Sequence, residues 1–596
     1  MFSIRTILPA LLALAAGGAA LALAACGSSS SSANTGLNTP QGVLTPANET
    51  QSGGHRGGTL TVLNHTDFEH IDPGTSYFSN DYEAMYATQR PLYSYKPNNV
   101  TTPSPDMAES DPQISSDGKN ITIHIRHGVH FSPPVNREVT SADVAYALER
   151  AANPNVANPY YLGYLGAVEG VPKANGGPVP GIKTPNKYTL ELHLTEPKAQ
   201  LVAASLVLPY SAAVPADYAK RFDAQKPSEY GNYQVATGPY MFKANAEGKV
   251  LGTGYQPGKS ATLVRNPNWN ASTDFRPAYL DQINIQIGGD TNVIGRQVLE
   301  GSHMIQNDTP AQSIVKLAYE KFRSQLEISP NAGDHYIAIN NSKGPFTNVN
   351  LRKAYWAALD REAMNKARGG SLVTILMTHY LWPETPGFEA AGGYAGPKVD
   401  YNEHPQGDMA VAEKYMKLAG YPSGKYTGGK TLTVVGSTGN PEPEDAQIAT
   451  QALNKLGFKT KLNLVDKSVM YSKYCGVVSE AIDVCPNVGW VADFGDGQAV
   501  LNVPFNGTLI LTNGSNSNWG LVNHQKINEA MTAAEKVQGK EARAKAWANI
   551  DRELVAEAVA APYDWDKQPQ IRSQDVAGVG DLWNVGSWDY NYTSLK

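Results

Sequence analysis

The sequence predicts an α/β fold with mixed sheets, divided among more than one domain. Three observations predict it. Short strand-like runs alternate with helical stretches from Thr59 to Val559, the order in which helices pack on sheets. At 596 residues the chain exceeds the roughly 250–300 at which one hydrophobic core stops growing, so two or three domains are expected. With 41% hydrophobic and 17% charged residues, and no apolar run of about 20 after the N-terminus, the body reads as globular and not as a membrane span.

In chain order, Arg5 is followed by the apolar stretch Ile7 to Leu23 and by Ala24, Ala25 and Cys26. Residues 1–25 read as an export signal. Leu23-Ala24-Ala25-Cys26 resembles the bacterial lipobox, which makes Cys26 the expected mature N-terminus, carrying lipid and holding the protein to the outer face of the cell membrane. Residues 26–57 are rich in Ser, Gly, Asn, Thr and Pro and read as a flexible tether with an r.m.s. reach of roughly 30 Å.

The body opens with a β-like run at Thr59 to Asn64 and a helix over Asp81 to Thr88. Asn120 to Arg126 alternates, with Ile121, Ile123 and Ile125 on one face, which predicts a half-buried strand. Thr140 and Asp143 have the spacing of a capping box and open the next helix. Further strands are expected at Thr189 to Leu194, Ala261 to Arg265, Gln282 to Ile287, Tyr336 to Asn340, Leu432 to Val435 and Thr460 to Val465. Helices are expected at Asn350 to Ala367, Gln406 to Ala419, Glu444 to Leu456 and Ala542 to Val559.

Charge and motifs remove several function classes. A net charge of −6 offers no basic field for nucleic acid. There is no G-x-S-x-G, H-E-x-x-H, C-x-x-C or G-x-G-x-x-G motif, so no catalytic role and no cofactor is expected. Gly252 to Ser260 ends like a P-loop, but its glycine spacing is wrong, and it reads as a Gly-rich surface hairpin. His124, His127 and His130 are sent apart by strand alternation, and His65, Asp67, Glu69, His70 and Asp72 sit in an extended segment that does not converge donors. No metal site is expected. Cys475 and Cys485 form an even pair in an oxidising compartment, where a disulfide is the default. The 31 tyrosines and 9 tryptophans suit a ligand cleft.

A set of short signatures then stands in a fixed order: Gly57-Gly58-Thr59-Leu60-Thr61-Val62, Ile71-Asp72-Pro73, Ser116-Asp117-Gly118-Lys119, Arg126-His127-Gly128-Val129-His130-Phe131, Thr237-Gly238-Pro239-Tyr240, Asn266-Pro267-Asn268-Trp269, Leu359-Asp360-Arg361-Glu362, Ala419-Gly420-Tyr421-Pro422 and Trp490-Val491-Ala492-Asp493. In this order the chain resembles the family 5 extracellular solute-binding proteins, the peptide- and nickel-type receptors of ABC importers, from about residue 57 to the C-terminus. The resemblance implies a two-lobed periplasmic-binding-protein-like fold of the large, three-subdomain type with a hinge between lobes. Mapped onto this chain, lobe I comprises 58–96, an accessory subdomain 97–235, 236–333 and a C-terminal return 562–596, and lobe II comprises 334–561. The hinge crossings fall near Pro330 to His335 and Ala561 to Asp564.

The same resemblance implies a monomeric receptor that captures peptides and delivers them to a membrane permease driven by ATPase subunits. A peptide ammonium taken out of water needs a carboxylate. In similar receptors the Asp of the Trp-x-x-Asp motif fills that role, which makes Asp493 the amine anchor and Trp490 a side of its pocket, with Asp496 as the alternative anchor. For the ligand carboxylate, lobe II offers Arg352, Arg361, Lys366, Arg368, Lys398 and His404, with no choice among them from sequence. Oligosaccharide or nickel-complex cargo is the alternative within the family. An exported hydrolase or an adhesion or signalling lipoprotein is the alternative outside it.

Overall fold

The computed structural model describes residues 54–76, 79–97, 99–159, 161–439, 441–511, 516–577, 580–582 and 587–596. The export signal, Cys26 and the tether up to Gly53 lie outside the described residues. The last tether residues are already part of the body: His55 bridges Leu595, and the Gly57 N–H donates to the Tyr279 carbonyl at 2.9 Å.

The strands that position the site are β1 (Thr59–Asn64), β2 (Gln282–Ile287), β3 (Met304–Gln306), β4 (Leu326–Ile339), β5 (Thr431–Ser437), β6 (Lys459–Val465), β7 (Val484–Val491) and β8 (Ala560–Arg572). Among the described residues they belong to one twelve-stranded mixed sheet in the order β6-β5-β7-β4-β8-β3-β1-β2, continued by Ser260–Arg265 and Tyr240–Phe242. β1 pairs parallel with β2 and β3 at one end, and β5 pairs parallel with β6 and β7 at the other. Between them run the two long antiparallel strands β4 and β8, whose register shifts between Pro330 and Asp334. One end of β8 pairs with β3 at Ile571 and Arg572, and β4 pairs with β7 from Gly333 onward. Two strands therefore carry the chain from one half of the sheet to the other.

The helices used below are α1 (Tyr161–Leu165), α2 (Gln312–Lys321), α3 (Arg361–Arg368), α4 (Glu442–Lys455), α5 (Gly497–Phe505) and α6 (Lys540–Ala556). The single helix expected over Asn350 to Ala367 is two, Val349–Ala358 and α3. The break is a capping signal: the Asp360 side chain accepts from the Ala363 N–H at 2.9 Å and starts a new helix.

A separate four-stranded antiparallel sheet joins Gln113–Ile114, Asn120–His124, Thr189–His193 and Ile182–Asn186. Ile121 and Ile123 within it, and Ile125 just past the strand, are fully buried, so the period-two reading holds, and burying three such side chains contributes on the order of 5–9 kcal/mol. The Gly-rich run at Gly252 to Ser260 forms the expected hairpin, with Tyr255 facing Ala261 and Gln256 facing Ser260. At the end of the chain Val576, Trp588, Tyr590 and Leu595 share a core with Leu60, Val62, Ile283 and Ile285. The C-terminus thus returns to the first strands.

Candidate ligand cleft

The carboxyl ends of β1 and β3 from one half of the sheet, and of β5, β6 and β7 from the other, meet at a cavity of about 1250 Å³. His65 follows β1, Asn307 and Asp308 follow β3, Lys467 follows β6, and Val491 ends β7; all line it, with Glu442 of α4 after β5. Ligands of open α/β sheets bind outside the carboxyl ends of the strands because connecting loops and helix N-termini converge there. The two sheet-crossing strands supply the floor, through His335 of β4 and Asp566, Lys567 and Gln568 of β8.

The floor is charged. Arg368, at the end of α3, lies 3.3 Å from both Asp445 and Asp564 and 3.6 Å from Asp566, and its guanidinium donates to the His335 ring at 3.1 Å. His335 Nδ1 also lies 3.0 Å from Asp566. Burial pushes Asp445 up to about 7 and Asp564 up to about 8, with the Arg368 charge opposing both. Lys467 pairs with Glu442 at 2.5 Å and stays half exposed. Of the six cations that the sequence offered for the ligand carboxylate, only Arg368 lines the cavity. Arg352 donates to the Glu557, Ala558 and Phe346 carbonyls, and Arg361 to those of Met377 and Asn402, so both tie chain segments together. Lys366 pairs with Glu362 on the surface. His335, Lys467 and Lys567 escaped sequence reading because nothing in their local pattern separates them from surface or strand residues.

The loop after β7 carries the predicted anchor. Asp493 is buried; its carboxylate accepts from the Tyr164 hydroxyl of α1, and the Tyr164 ring packs edge-on against Phe494 at 5.1 Å. Desolvation pushes Asp493 up to about 6, against the pull of the Tyr164 hydrogen bond. No cation pairs with it among the described residues. The neighbouring Gly495 N–H donates to the Tyr95 hydroxyl at 2.9 Å. Val491 lines the cavity; Trp490 and Asp493 do not. Trp490 sits in the core below, where its indole N–H donates to the Ala499 carbonyl at 2.7 Å and its backbone N–H to Asp334 at 3.0 Å.

Asp496 has other partners. It caps α5 by accepting from the Gln498 N–H at 2.8 Å and accepts from Nε and Nη2 of Arg543 of α6, at 2.6 and 3.1 Å. Upstream, Cys475 and Cys485 form the expected disulfide, which ties a π-helical turn at Met470–Cys475 to the start of β7. Histidines of the two His-rich segments go to separate partners: His127 packs at a tilt against Tyr188, ring centroids 3.7 Å apart, and His65 donates toward the Gly289 carbonyl. Asp72 pairs with Arg150 at 2.8 Å.

Residues 102–509 match the family described as bacterial extracellular solute-binding proteins, family 5. The periplasmic oligopeptide-binding protein OppA of Escherichia coli strain K12 is 26% identical over 421 residues, 67% of this chain and 69% of that protein. Heme-binding protein A of Haemophilus influenzae is 26% identical over 489 residues, 80% of each chain. Clavulanic acid biosynthesis oligopeptide binding protein 2 has the same fold, with a TM-score of 0.79 at 24% identity over 91% of this chain and 96% of that one. The chain therefore belongs to the family 5 bacterial extracellular solute-binding proteins.

Proposed function

We propose that this protein is the extracytoplasmic substrate-binding subunit of an ABC importer and that its cargo is peptides. The two halves of the sheet are the lobes, β4 and β8 are the hinge, and closure buries the cargo before the receptor docks a membrane permease. Ligand drives closure only by binding the closed form better than the open one. No chemistry is asked of the protein. Cys26 carries the lipid anchor, and Cys26→Ser would release the body from membranes or leave an unprocessed precursor.

The observation that carries the reading is Asp493, a buried carboxylate held by a tyrosine hydroxyl and by no cation among the described residues. A peptide ammonium would supply the missing charge, Trp490 would hold the loop from below, and Val491 would meet the peptide backbone strand to strand. The relatives named for oligopeptides and for haem share one scaffold, so cargo follows from the site and not from the fold. The test is calorimetry of trialanine against N-acetyl-trialanine, after native mass spectrometry of the freshly purified protein. The free peptide is expected to bind far more tightly; equal affinity, or binding of neutral sugars alone, overturns the reading.

A further inference from the structure

Two short segments, far apart in sequence, meet outside the cavity. Glu196, Pro197 and Lys198 join the strand Thr189–His193 of the four-stranded sheet to the helix Ala199–Ser205; they belong to the accessory subdomain mapped to lobe I. Glu535 to Gly539 join the helix Gln525–Ala534 to α6 and belong to lobe II. Their charges cross. Lys198 Nζ lies 2.9 Å from Glu535, and Lys536 Nζ lies 3.2 Å from Glu196. Lys198 is also 3.5 Å from Glu196, so the side chains form one row of alternating sign. The Gln538 side-chain amide adds a bond to the Pro197 carbonyl at 3.0 Å. Against desolvation, the Lys198 and Lys536 charges hold the Glu196 carboxyl below its ordinary range, and Glu535 and Glu196 hold Lys198 above its own. None of these residues lines the cavity.

Both segments are fastened to what lies inside the cleft. Glu535 accepts from Asn502 Nδ2 of α5 at 2.8 Å. Arg543, which holds Asp496, donates to the Ala534 and Glu535 carbonyls at 3.1 Å. The lobe II segment therefore moves with the loop that carries Asp493. On the other side, the helix Ala199–Ser205 packs against α1, which carries Tyr164. The Tyr164 contact with Asp493 and the crossed ion pairs thus join the same two bodies, one beside the cleft and one outside it. With side chains only 22% and 11% exposed, Lys198 and Glu535 are partly shielded from solvent, which raises the worth of their pair above that of a fully exposed one.

We infer that Glu196, Lys198, Glu535 and Lys536 are an ionic clasp made when the two lobes close, so that these residues set the affinity for cargo without touching it. The inference rests on the two-lobe reading of the proposed function and not on the chemistry of the cargo. A contact made only in the closed form raises the population competent to hold ligand, and the observed affinity rises by the same factor. Two partly exposed ion pairs put that factor at about three- to tenfold.

Calorimetry of trialanine on the mature protein tests the clasp. Lys198→Glu is expected to weaken binding by that factor at about 50 mM salt and by much less at about 1 M, where such charges are screened. Adding Glu535→Lys to Lys198→Glu restores a pair of opposite charges and is expected to recover most of the lost affinity. Wild-type affinity in Lys198→Glu, or a loss that neither salt nor the charge exchange reduces, overturns the inference. Should trialanine not bind the wild type, the peptide reading has failed and the clasp is judged by small-angle X-ray scattering on the protein as purified. Lys198→Glu is then expected to have the larger radius of gyration, and equal radii overturn the inference.

Discussion

Asp493 and Asp496 occupy one loop after β7 and are held in opposite ways. Asp496 has a bidentate arginine and a helix N-terminus; Asp493 has a tyrosine hydroxyl and apolar neighbours, and burial pushes it up to about 6. The same residue type thus serves two ends. A carboxylate whose charge is met within the chain is a fastening, and one that is desolvated and met by no cation among the described residues is, on the proposed reading, the partner of a cationic ligand.

The largest expected effect is on binding. Asp493→Ala should weaken trialanine binding by two to three orders of magnitude, from the roughly 3–5 kcal/mol of a broken buried ion pair. N-acetylation should weaken wild-type binding comparably and the variant little further, since both changes delete one pair. If Asp496→Ala gives that pattern instead, the two residues have been assigned the wrong way round. Calorimetry on the two-by-two set decides.

Arg543→Ala should act on stability. It leaves Asp496 partly buried without its cation, at a cost of about 3 kcal/mol in urea unfolding, while trialanine affinity changes little. A binding loss as large as that of Asp493→Ala would blur the distinction between fastening and anchor.

The third expectation concerns pH. Asp493 is raised from 3.8 to about 6 in the fold, so between those values the folded state holds the proton more tightly than the unfolded chain. Stability then decreases as pH rises through that window, by up to about 3 kcal/mol, and stays at the lower level above it. Asp493→Asn should abolish this component and be the more stable protein at pH 7.5; unchanged pH dependence in unfolding titrations would count against the buried charge. Ligand binding runs the other way, because the anchor must be ionised: affinity should weaken as pH falls below about 6.

The smallest effect expected is that of the disulfide. Replacing both Cys475 and Cys485 by Ser frees a loop of about 11 residues and should lower stability by about 2.5–3 kcal/mol on the chain-entropy scale. Trialanine affinity should fall only as far as the base of β7 loosens, which calorimetry on the double variant measures.

Local pattern was a good guide wherever it reported a local cause. Ile121, Ile123 and Ile125 alternate because one face of their strand is buried, and the Gly252 to Ser260 hairpin follows from its glycines. It failed at Asp360, where a capping aspartate divides a stretch of continuous helical character into two helices. The site was legible only in part. The Trp-x-x-Asp segment stood out as a motif, and the family resemblance already placed Asp493 ahead of Asp496; what the chain did not show is that Asp496 is held by Arg543, about fifty residues further on, and Asp493 by Tyr164, far upstream.

By itself the sequence determined the α/β class, the order of strands and helices and the cysteine pair, because these depend on periodicity, capping and composition within short windows. Its motif order also pointed to the family. Only the tertiary structure decided which charges are answered. His65, Asp308, His335, Arg368, Glu442, Lys467 and Lys567 become neighbours of one cavity through two strands that cross between the halves of the sheet. Whether a charge is costly, paired or available is set by what surrounds it in space, and desolvation has no signature along the chain.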